Sequence, residues 1–468
     1  MLKILRVYII FTALVLLVSC NDAEKSFDFT TQLPELCCHE NLDSNQINLL
    51  KRFVVLHRNK QEKQQDFEIQ EDSISYKQVA ELFYTNCKTC HRDQGTAPFA
   101  FNSYYDLIRK AKTIKKTIKE GRMPPWTALP CGVEYSNEPE MTQDDIYKIL
   151  KWYDMGALCS EQEKQQPLDE LIQKNKHIAL IPDIVATTGY EHTVSENSDM
   201  YHCKVVDLKL EEGMLLKAIK PVSSNPRALH HITVYLDTMG ILGENGENWD
   251  CYRSDIVYKL IPFDTWSKGF KFYCFDDNFS YYLPKKSKLM LQVHYDEHME
   301  GQTERTSIHL YKADNKPFGN RRIKWMIQQN ADIYIPADSV KVETITHKVE
   351  EDISLLSVIP HMHYIGRMIE VFVTDESGKR MDLLKVDDWD YPFQGRYMFK
   401  YPIKISKGSI ITSNVVYDNT STNPYQPNFP PIDAKYELGS KQEMMVLTFY
   451  YVDYKLGDEK LKIGHVAI

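Results

Sequence analysis

Hydrophobic residues follow two different periods along this chain, one before and one after about residue 178. In the earlier stretch Ile146, Ile149, Leu150 and Tyr153 recur at helical spacing behind Thr142, which suits a helix N-cap. In the later stretch, short runs rich in Val, Ile, Tyr and Thr are divided by Gly, Asn, Asp and Pro. That residue pattern is typical of antiparallel strands. The pattern therefore predicts a helical segment followed by β structure.

The length of 468 residues predicts about three domains. Residues 20–74 are polar, which predicts a tether or a small appendage. Residues 161–177 are charged and contain proline, which predicts a linker. The β-rich remainder divides at about residue 318 into two parts, 178–318 and 319–468. Each part is long enough for one antiparallel sandwich or barrel.

The N-terminus has the features of an export signal. Lys3 and Arg6 precede an apolar run from Val7 to Val18, which is too short to span a membrane comfortably. The run ends in Ser19-Cys20, which resembles a bacterial lipobox. We therefore expect residues 1–19 to be a signal peptide and Cys20 to be acylated. A lipid would then anchor the protein in a bacterial cell envelope, facing the periplasm or the exterior. The alternative is a plain signal peptide that happens to contain a cysteine.

The net charge of -9 argues against nucleic-acid binding, which needs a basic face. The chain has 10 cysteines, and an oxidising compartment permits disulfides among those that have no other role.

The segment Cys87-Lys88-Thr89-Cys90-His91 is a CxxCH motif. Two thiols at this spacing can add to the two vinyl groups of a haem, and the adjacent histidine then reaches the iron. The alternatives are a chance pair of cysteines or half of a zinc site, but a zinc site would need a second ligand pair and none lies nearby in the sequence. The motif therefore predicts one covalent haem c in a small cytochrome c domain at residues 75–160.

Met123 is the expected second axial ligand. It lies in Gly121-Arg122-Met123-Pro124-Pro125, between a predicted helix and two prolines, and the segment resembles the methionine loop of small cytochromes c. A thioether opposite histidine raises the reduction potential, which suits an electron carrier.

Histidines cluster in three strand-like runs of the later segment. The runs contain His230-His231, His294, and His361-Met362-His363. Alternate residues of a strand share a face, so His361 and His363 can bind one metal while Met362 points away. Adjacent His230 and His231 can bind one ion only at a bulge or a strand end. A single histidine here would be read as structural, but the set, together with a later Met-Met pair, favours copper.

These residues resemble the copper type II, ascorbate-dependent monooxygenases, which include peptidylglycine hydroxylating and dopamine beta-monooxygenases. The matching motifs run in the family's order over more than half of the chain: His230-His231 before an apolar strand, Leu291 to Tyr295, His361 to Gly366, and Glu443-Met444. The resemblance implies two all-β antiparallel jelly-roll (sandwich) domains following the small all-α cytochrome c domain, with one copper in each jelly roll.

The resemblance also implies ligand sets and a disulfide. His230, His231 and His294 would bind the electron-transfer copper. His361, His363 and Met444 would bind the catalytic copper that activates oxygen. Cys203 and Cys274 would form the family's disulfide in the first jelly roll. A second bridge, Cys131–Cys159, is expected in the haem segment.

The substrate site departs from the peptide-amidating branch of the family. Ile359 replaces an arginine that would hold a peptide carboxylate. Val446 and Thr448 replace an asparagine and a tyrosine, and Met445 replaces a cysteine. The family reaction therefore carries over to this chain as an expectation, whereas the family's peptide substrate does not.

The sequence thus predicts a monooxygenase that hydroxylates a C–H bond of a small organic substrate with O2. Electrons would come from an external donor, either ascorbate or a redox protein, through the haem. The alternative is a non-catalytic, lipid-anchored electron carrier whose β segment binds copper or docks a partner. A monooxygenase requires both complete copper sites, and all six ligands are present.

Replacing the predicted lipid-bearing residue tests the anchor. We expect Cys20→Ser to release the protein from the membrane fraction, because the thiol that would carry the lipid is gone. Fractionation and mass spectrometry of the N-terminus measure this. Wild-type protein that is already soluble and begins at Cys20 without acyl groups would contradict the prediction.

Overall fold

The computed structural model describes residues 43, 45, 46, 49, 50, 52, 74–93, 95–172, 180–195, 201–251, 255–269, 272–276, 278–296, 299–314 and 321–466. The predicted signal peptide and Cys20 lie outside these residues. The helices with described bounds are α1 (Tyr76–Asn86), α2 (Tyr104–Arg109), α3 (Ala111–Lys119), α4 (Gln143–Asp154), α5 (Glu161–Lys164) and α6 (Leu168–Ile172).

Side-chain caps fix where the longer helices begin. Ser75 forms a capping box with Gln78 at the start of α1, and Thr142 forms one with Asp145 at the start of α4. Between them the helices bury an aromatic and aliphatic cluster, in which Trp152 is fully buried and stacks on Tyr76 with ring centroids 5.7 Å apart. This cluster holds the chain on either side of the CxxCH motif.

The strands occupy most of the chain after residue 184. The first group is β1 (Ile184–Thr187), β2 (His192–Thr193), β3 (Tyr201–Asp207), β4 (Met214–Ser223), β5 (Leu229–Asp237), β6 (Asn248–Asp250), β7 (Ile261–Ser267), β8 (Tyr273–Phe275), β9 (Phe279–Leu283), β10 (Lys288–Tyr295), β11 (Thr303–Glu304), β12 (Thr306–Lys312) and β13 (Arg321–Arg322). The second group is β14 (Lys324–Gln329), β15 (Tyr334–Ile335), β16 (Val340–Lys348), β17 (Ile353–His361), β18 (Gly366–Thr374), β19 (Arg380–Val386), β20 (Tyr397–Ile405), β21 (Ile410–Asp418), β22 (Ala434–Lys435), β23 (Val446–Asp453) and β24 (Gly464–Val466).

Four larger sheets organise these strands. The first group forms two five-stranded sheets, ordered β1-β12-β4-β9-β13 and β6-β3-β10-β5-β7. The second group forms two four-stranded sheets, ordered β14-β23-β17-β20 and β16-β21-β18-β19. Nearly all neighbours are antiparallel, the described exception being β13 beside β9. The C-terminal strand β24 returns to pair with β8 of the first group.

One continuous hydrophobic core joins these sheets. It contains Leu216 and Val206 from the two five-stranded sheets, and Leu355 and Val415 from the two four-stranded sheets. Each of these side chains is fully buried. The core therefore runs through both groups of strands, and residues 52–468 form a single compact unit.

The predicted fold class, a small all-α cytochrome c domain followed by two jelly-roll domains, is wrong. Strands account for 39% of the described structure and helices for 17%, so the chain is mostly β. The segment 126–137, expected to lie inside the all-α domain, joins the β core. Within it Ala128 bridges to Val386, and Tyr135 bridges to Phe399. Because hydrophobic residues follow no regular period in this segment, its sequence did not indicate pairing with distant strands.

The predicted disulfides are also wrong. Cys203 bonds to Cys251, not to Cys274. Cys203 on β3 lies opposite Trp249 of β6, and this pairing brings Cys251, two residues further along the chain, close to Cys203. Cys274 is buried on β8 and donates a weak hydrogen bond to the carbonyl of Phe275.

The second predicted pair, Cys131 and Cys159, is not disulfide-bonded. Cys131 lies beside the hydroxyl of Tyr135, in the segment that joins the β core, whereas Cys159 follows α4 in the helical cluster. Within the described residues, no helix has the length and apolar content that crossing a membrane requires.

Removing the observed disulfide should destabilise the protein. The bond links positions 48 residues apart, so it restricts the unfolded chain strongly. We expect Cys251→Ser to lower the free energy of unfolding by about 2–4 kcal/mol, measured by urea denaturation.

Cys274→Ser is the matched control, because a serine hydroxyl can keep the hydrogen bond to Phe275. Peptide mapping without reductant should show a Cys203–Cys251 cross-link in both the wild type and this control. A Cys203–Cys274 cross-link in the wild type would show that the assigned pairing is incorrect.

Candidate metal centre

The first histidine set forms where β5 begins beside β10. His231 lies opposite His294 in the strand register, but the next pair is Leu229 with Tyr295. His230 is therefore an extra residue in β5, and the pairing is irregular at this point. The bulge turns two adjacent histidines toward one ion site, as a regular strand could not.

The three imidazoles lie close together. His230, His231 and His294 offer ligand atoms that all lie within 4.8 Å of one another. The Nδ1 atoms of His230 and His231 are 3.0 Å apart, and the His294 ring stacks on Tyr201 of β3 with centroids 4.0 Å apart. The Nε2 atom of His230 is buried and has no hydrogen-bond partner among the described residues. These nitrogens have the geometry of a set that can hold a metal ion.

Burial favours the uncharged, metal-binding form of His230 and His231. All three histidines are at most 4% exposed. Burial, followed by the proximity of His294, holds the pKa of His230 and the pKa of His231 well below their usual range. Since a metal ligand must be a neutral imidazole, His230 and His231 could accept a cation without first losing a proton at neutral pH.

The second set lies where β17 ends. His361 is its last residue, and Met362 and His363 follow in the turn before β18. The rings of His361 and His363 have centroids 5.1 Å apart. Met362 is buried in the core and packs on Gly366, where any side chain would collide with it. This close packing explains the glycine three residues after the second histidine.

Hydrogen bonds fix which nitrogen of each ring faces outward. His361 Nδ1 donates to Gln394 Oε1 over 2.5 Å, and the amide of Gln394 donates to the carbonyls of Tyr391 and Met362. His363 Nδ1 donates to the carbonyl of Gln442 over 3.1 Å. In both rings the Nε2 lone pair is therefore the one available to a metal. Burial lowers the pKa of His361 to about 4, so this ring is also neutral.

Glu443 ties the methionine segment to this turn. Its buried carboxylate accepts hydrogen bonds from the backbone N–H groups of His363, Ile365 and Met444, over 2.9–3.1 Å. Burial raises the pKa of Glu443 to about 8, against the lowering effect of these bonds. The carboxylate thereby places Met444 beside the histidine turn, while Met445 is fully buried in the core.

The two histidine sets are neighbours rather than separate centres. The rings of His231 and His361 have centroids 5.7 Å apart. Both residues, together with Met444, line one cavity of about 180 Å³. Three of the six predicted copper ligands therefore line one cavity, with members from both sets. Strand spacing alone does not indicate this arrangement.

The CxxCH motif lies on a tight turn directly after α1. His91 N–H donates to the carbonyl of Cys87 over 2.9 Å, which places the histidine one helical turn from the first thiol. His91 Nδ1 donates to the carbonyl of Phe99 over 3.0 Å and leaves Nε2 available. Burial lowers the pKa of His91 and raises the pKa of Cys87 to about 12. A neutral imidazole and two cysteines that are not disulfide-bonded suit covalent haem.

Met123 lies in the loop after α3 and is 40% exposed. The residues that follow it, Pro124, Pro125 and Trp126, line a small cavity together with Cys90. The methionine loop thus borders the CxxCH turn, and the role of Met123 as an iron ligand stays a prediction.

A loop that sequence reasoning missed joins these parts. Phe393 lines the small cavity beside Cys90, and Tyr391 stacks on His230 with centroids 4.5 Å apart. Gln394 of the same loop holds His361. The run Tyr391-Pro392-Phe393 could have indicated this loop from the sequence, because aromatic side chains between two strands are expected to pack against other parts of the protein.

Comparison with known proteins gives no family assignment. No family model matches the chain, and neither does any curated protein. Matching solved structures include the major capsid protein P2 of bacteriophage PM2, at 10% identity and a TM-score of 0.25, covering 59% of this chain and 99% of that one. Another is the turret protein A223 of Sulfolobus turreted icosahedral virus, at 12% identity and a TM-score of 0.15, covering 57% and 99%. Likenesses this weak carry no argument about fold or function.

The hydrogen bond from Gln394 should matter for metal affinity. We expect Gln394→Leu to weaken copper binding at the second set by about 10–100-fold, because the imidazole loses the partner that orients it. Titration of copper against a competing chelator measures the affinity.

Gln329→Leu is the control, since Gln329 lines the same cavity but donates its hydrogen bond to Tyr436. Equal loss of affinity in the two variants would argue against an orienting role for Gln394.

Proposed function

We propose that this protein is a copper-dependent monooxygenase that hydroxylates a C–H bond of a small organic substrate, with electrons supplied through a covalently attached haem c. The observation that carries the proposal is the common cavity. His231 reaches it from the first histidine set, and His361 and Met444 reach it from the second. The overall reaction joins R–H, O2, two electrons and two protons, and gives R–OH and water.

The donor types at the cavity fit copper. Neutral imidazoles combined with a thioether suit an ion that cycles between Cu(I) and Cu(II). His230, His231 and His294 would hold one ion, and His361, His363 and Met444 the other. When bound, copper would supply oxygen activation and one-electron steps, and haem c would supply electrons singly.

The side chains around the ligands have defined tasks in this proposal. Gln394 and the Gln442 carbonyl hold two imidazoles with Nε2 outward, so the ligands need not reorganise when an ion binds. Glu443 fixes the turn that carries His363 and Met444. Ligands held in this way keep the reacting space in one shape.

The aromatic loop supports a route for electrons. Its Phe393 borders the cavity beside Cys90, while Tyr391 and Gln394 contact one histidine of each set. The CxxCH turn and both histidine sets are thus linked through three residues of a single loop. A lipid anchor at Cys20 and an external donor such as ascorbate or a redox protein complete the proposal.

Reoxidation of the reduced protein by O2 tests the proposal. We expect copper-loaded protein to contain one haem and two copper ions per chain. Its reduced haem should be reoxidised by O2 rapidly only when copper is bound, because Met123 would close the iron to O2. Stopped-flow absorption with and without copper measures the rates, and metal analysis measures the content.

His361→Ala should lose about one copper, keep its haem and lose the copper-dependent reoxidation. His347→Ala on β16, a partly exposed histidine away from the cluster, is the matched control. Equal reoxidation rates with and without copper, in protein that holds both ions, would favour the non-catalytic electron carrier. Retention of zinc and refusal of copper would overturn the metal assignment.

A further inference from the structure

The cavity between the histidine sets is built from both groups of strands. Its volume is about 180 Å³. From the first group it is lined by Gln292 and Tyr235, and from the second by Ile327, Ile359 and Val446. The metal-ligand candidates occupy one part of its wall, so a molecule held here would lie against them.

The wall contains no ionisable carboxylate, ammonium or guanidinium among the described residues. The nearby ionisable groups already have partners. Arg396 pairs with Asp264, and Glu443 accepts backbone hydrogen bonds. An ionised substrate would leave water without a compensating partner, which costs several kcal/mol in a buried site. The wall therefore selects against charge of either sign.

The volume sets the size of the occupant. Cavities of about 150 Å³ with apolar walls hold one benzene ring. A space of about 180 Å³ therefore has room for one six-membered ring with a small substituent.

Gln292 gives the occupant a polar contact. It is 4% exposed, and its Oε1 accepts a bond from Tyr235 over 3.4 Å. Its Nε2 has no hydrogen-bond partner among the described residues. A buried donor without a partner costs about 1–3 kcal/mol, which a bound acceptor oxygen would recover.

We infer that the cavity binds an uncharged molecule about the size of one substituted ring, which carries a carbonyl or hydroxyl oxygen that accepts from Gln292. This inference rests on the proposed function only for what happens to the molecule after it binds. It names a substrate class that differs from a peptide carboxylate, for which Ile359 offers no cation.

Three matched probes test the inference: benzamide, benzoate and benzylamine, which share one ring and differ in charge. Calorimetry on the full copper-free chain measures their binding. We expect benzamide to bind at least about tenfold more tightly than either ion, because both ions must be desolvated without a partner. Gln292→Met should weaken benzamide binding by about three- to tenfold.

A positive charge placed at the rim should reduce the preference for benzamide over benzoate. Ile327 lines the cavity and is 39% exposed, so lysine is tolerated there, and Ile327→Lys should raise benzoate affinity by about tenfold. Ile410→Lys, at a similarly exposed position on β21 outside the cavity, should leave all three affinities unchanged.

Tight binding of benzoate or benzylamine to the wild type, or no saturable binding of benzamide, would overturn the inference. Measuring oxygen uptake by copper-loaded protein in the presence of benzamide tests the proposed function separately. Selective binding without oxygen uptake would support the cavity chemistry and count against the monooxygenase.

Discussion

A buried ion pair between the two groups of strands is the constraint on which the site depends. Arg396, which directly precedes β20, donates to Asp264 of β7 over 2.8 Å and to the hydroxyl of Tyr281 on β9 over 2.6 Å. An unpaired charge at this depth is strongly unfavourable, so arrangements that separate these partners are penalised. β7 lies beside the strand that carries His231, and Arg396 follows Gln394 by two residues. The pair thereby connects the sheet that carries His231 to the loop that holds His361 through Gln394, and the two imidazole rings lie edge-on with centroids 5.7 Å apart.

The neutral histidines and the neutral cavity wall have one physical origin. Burial removes water from His230, His231 and His361, which disfavours their charged forms. For the imidazoles this is useful, because the neutral form is the ligand. For a substrate it acts as a filter, because an ion would lose its hydration without gaining a partner. The same low-dielectric environment thus favours metal binding and restricts which molecules can enter.

The family resemblance implied that each jelly roll holds its own copper, whereas the two histidine sets are adjacent in the structure. Here the core is continuous, and His231 of the first set and His361 and Met444 of the second border one cavity. The aromatic loop at Tyr391 and Phe393 then reaches from the CxxCH turn to both sets. In the proposed function, electron supply, ligand orientation and cavity shape would depend on overlapping residues, so substitutions in this loop are expected to affect more than one of them.

The sequence by itself determined the local chemistry. The CxxCH spacing, the helix that begins at Thr142 and the strand-like runs that carry the histidines follow from spacing and propensity, which act over a few residues. Only the tertiary structure decided the rest. The pairing of Cys203 with Cys251, the entry of Tyr135 into the β core and the contact between His231 and His361 depend on residues far apart in the chain. Such contacts follow from burial and strand register over the whole molecule, and no local pattern encodes them.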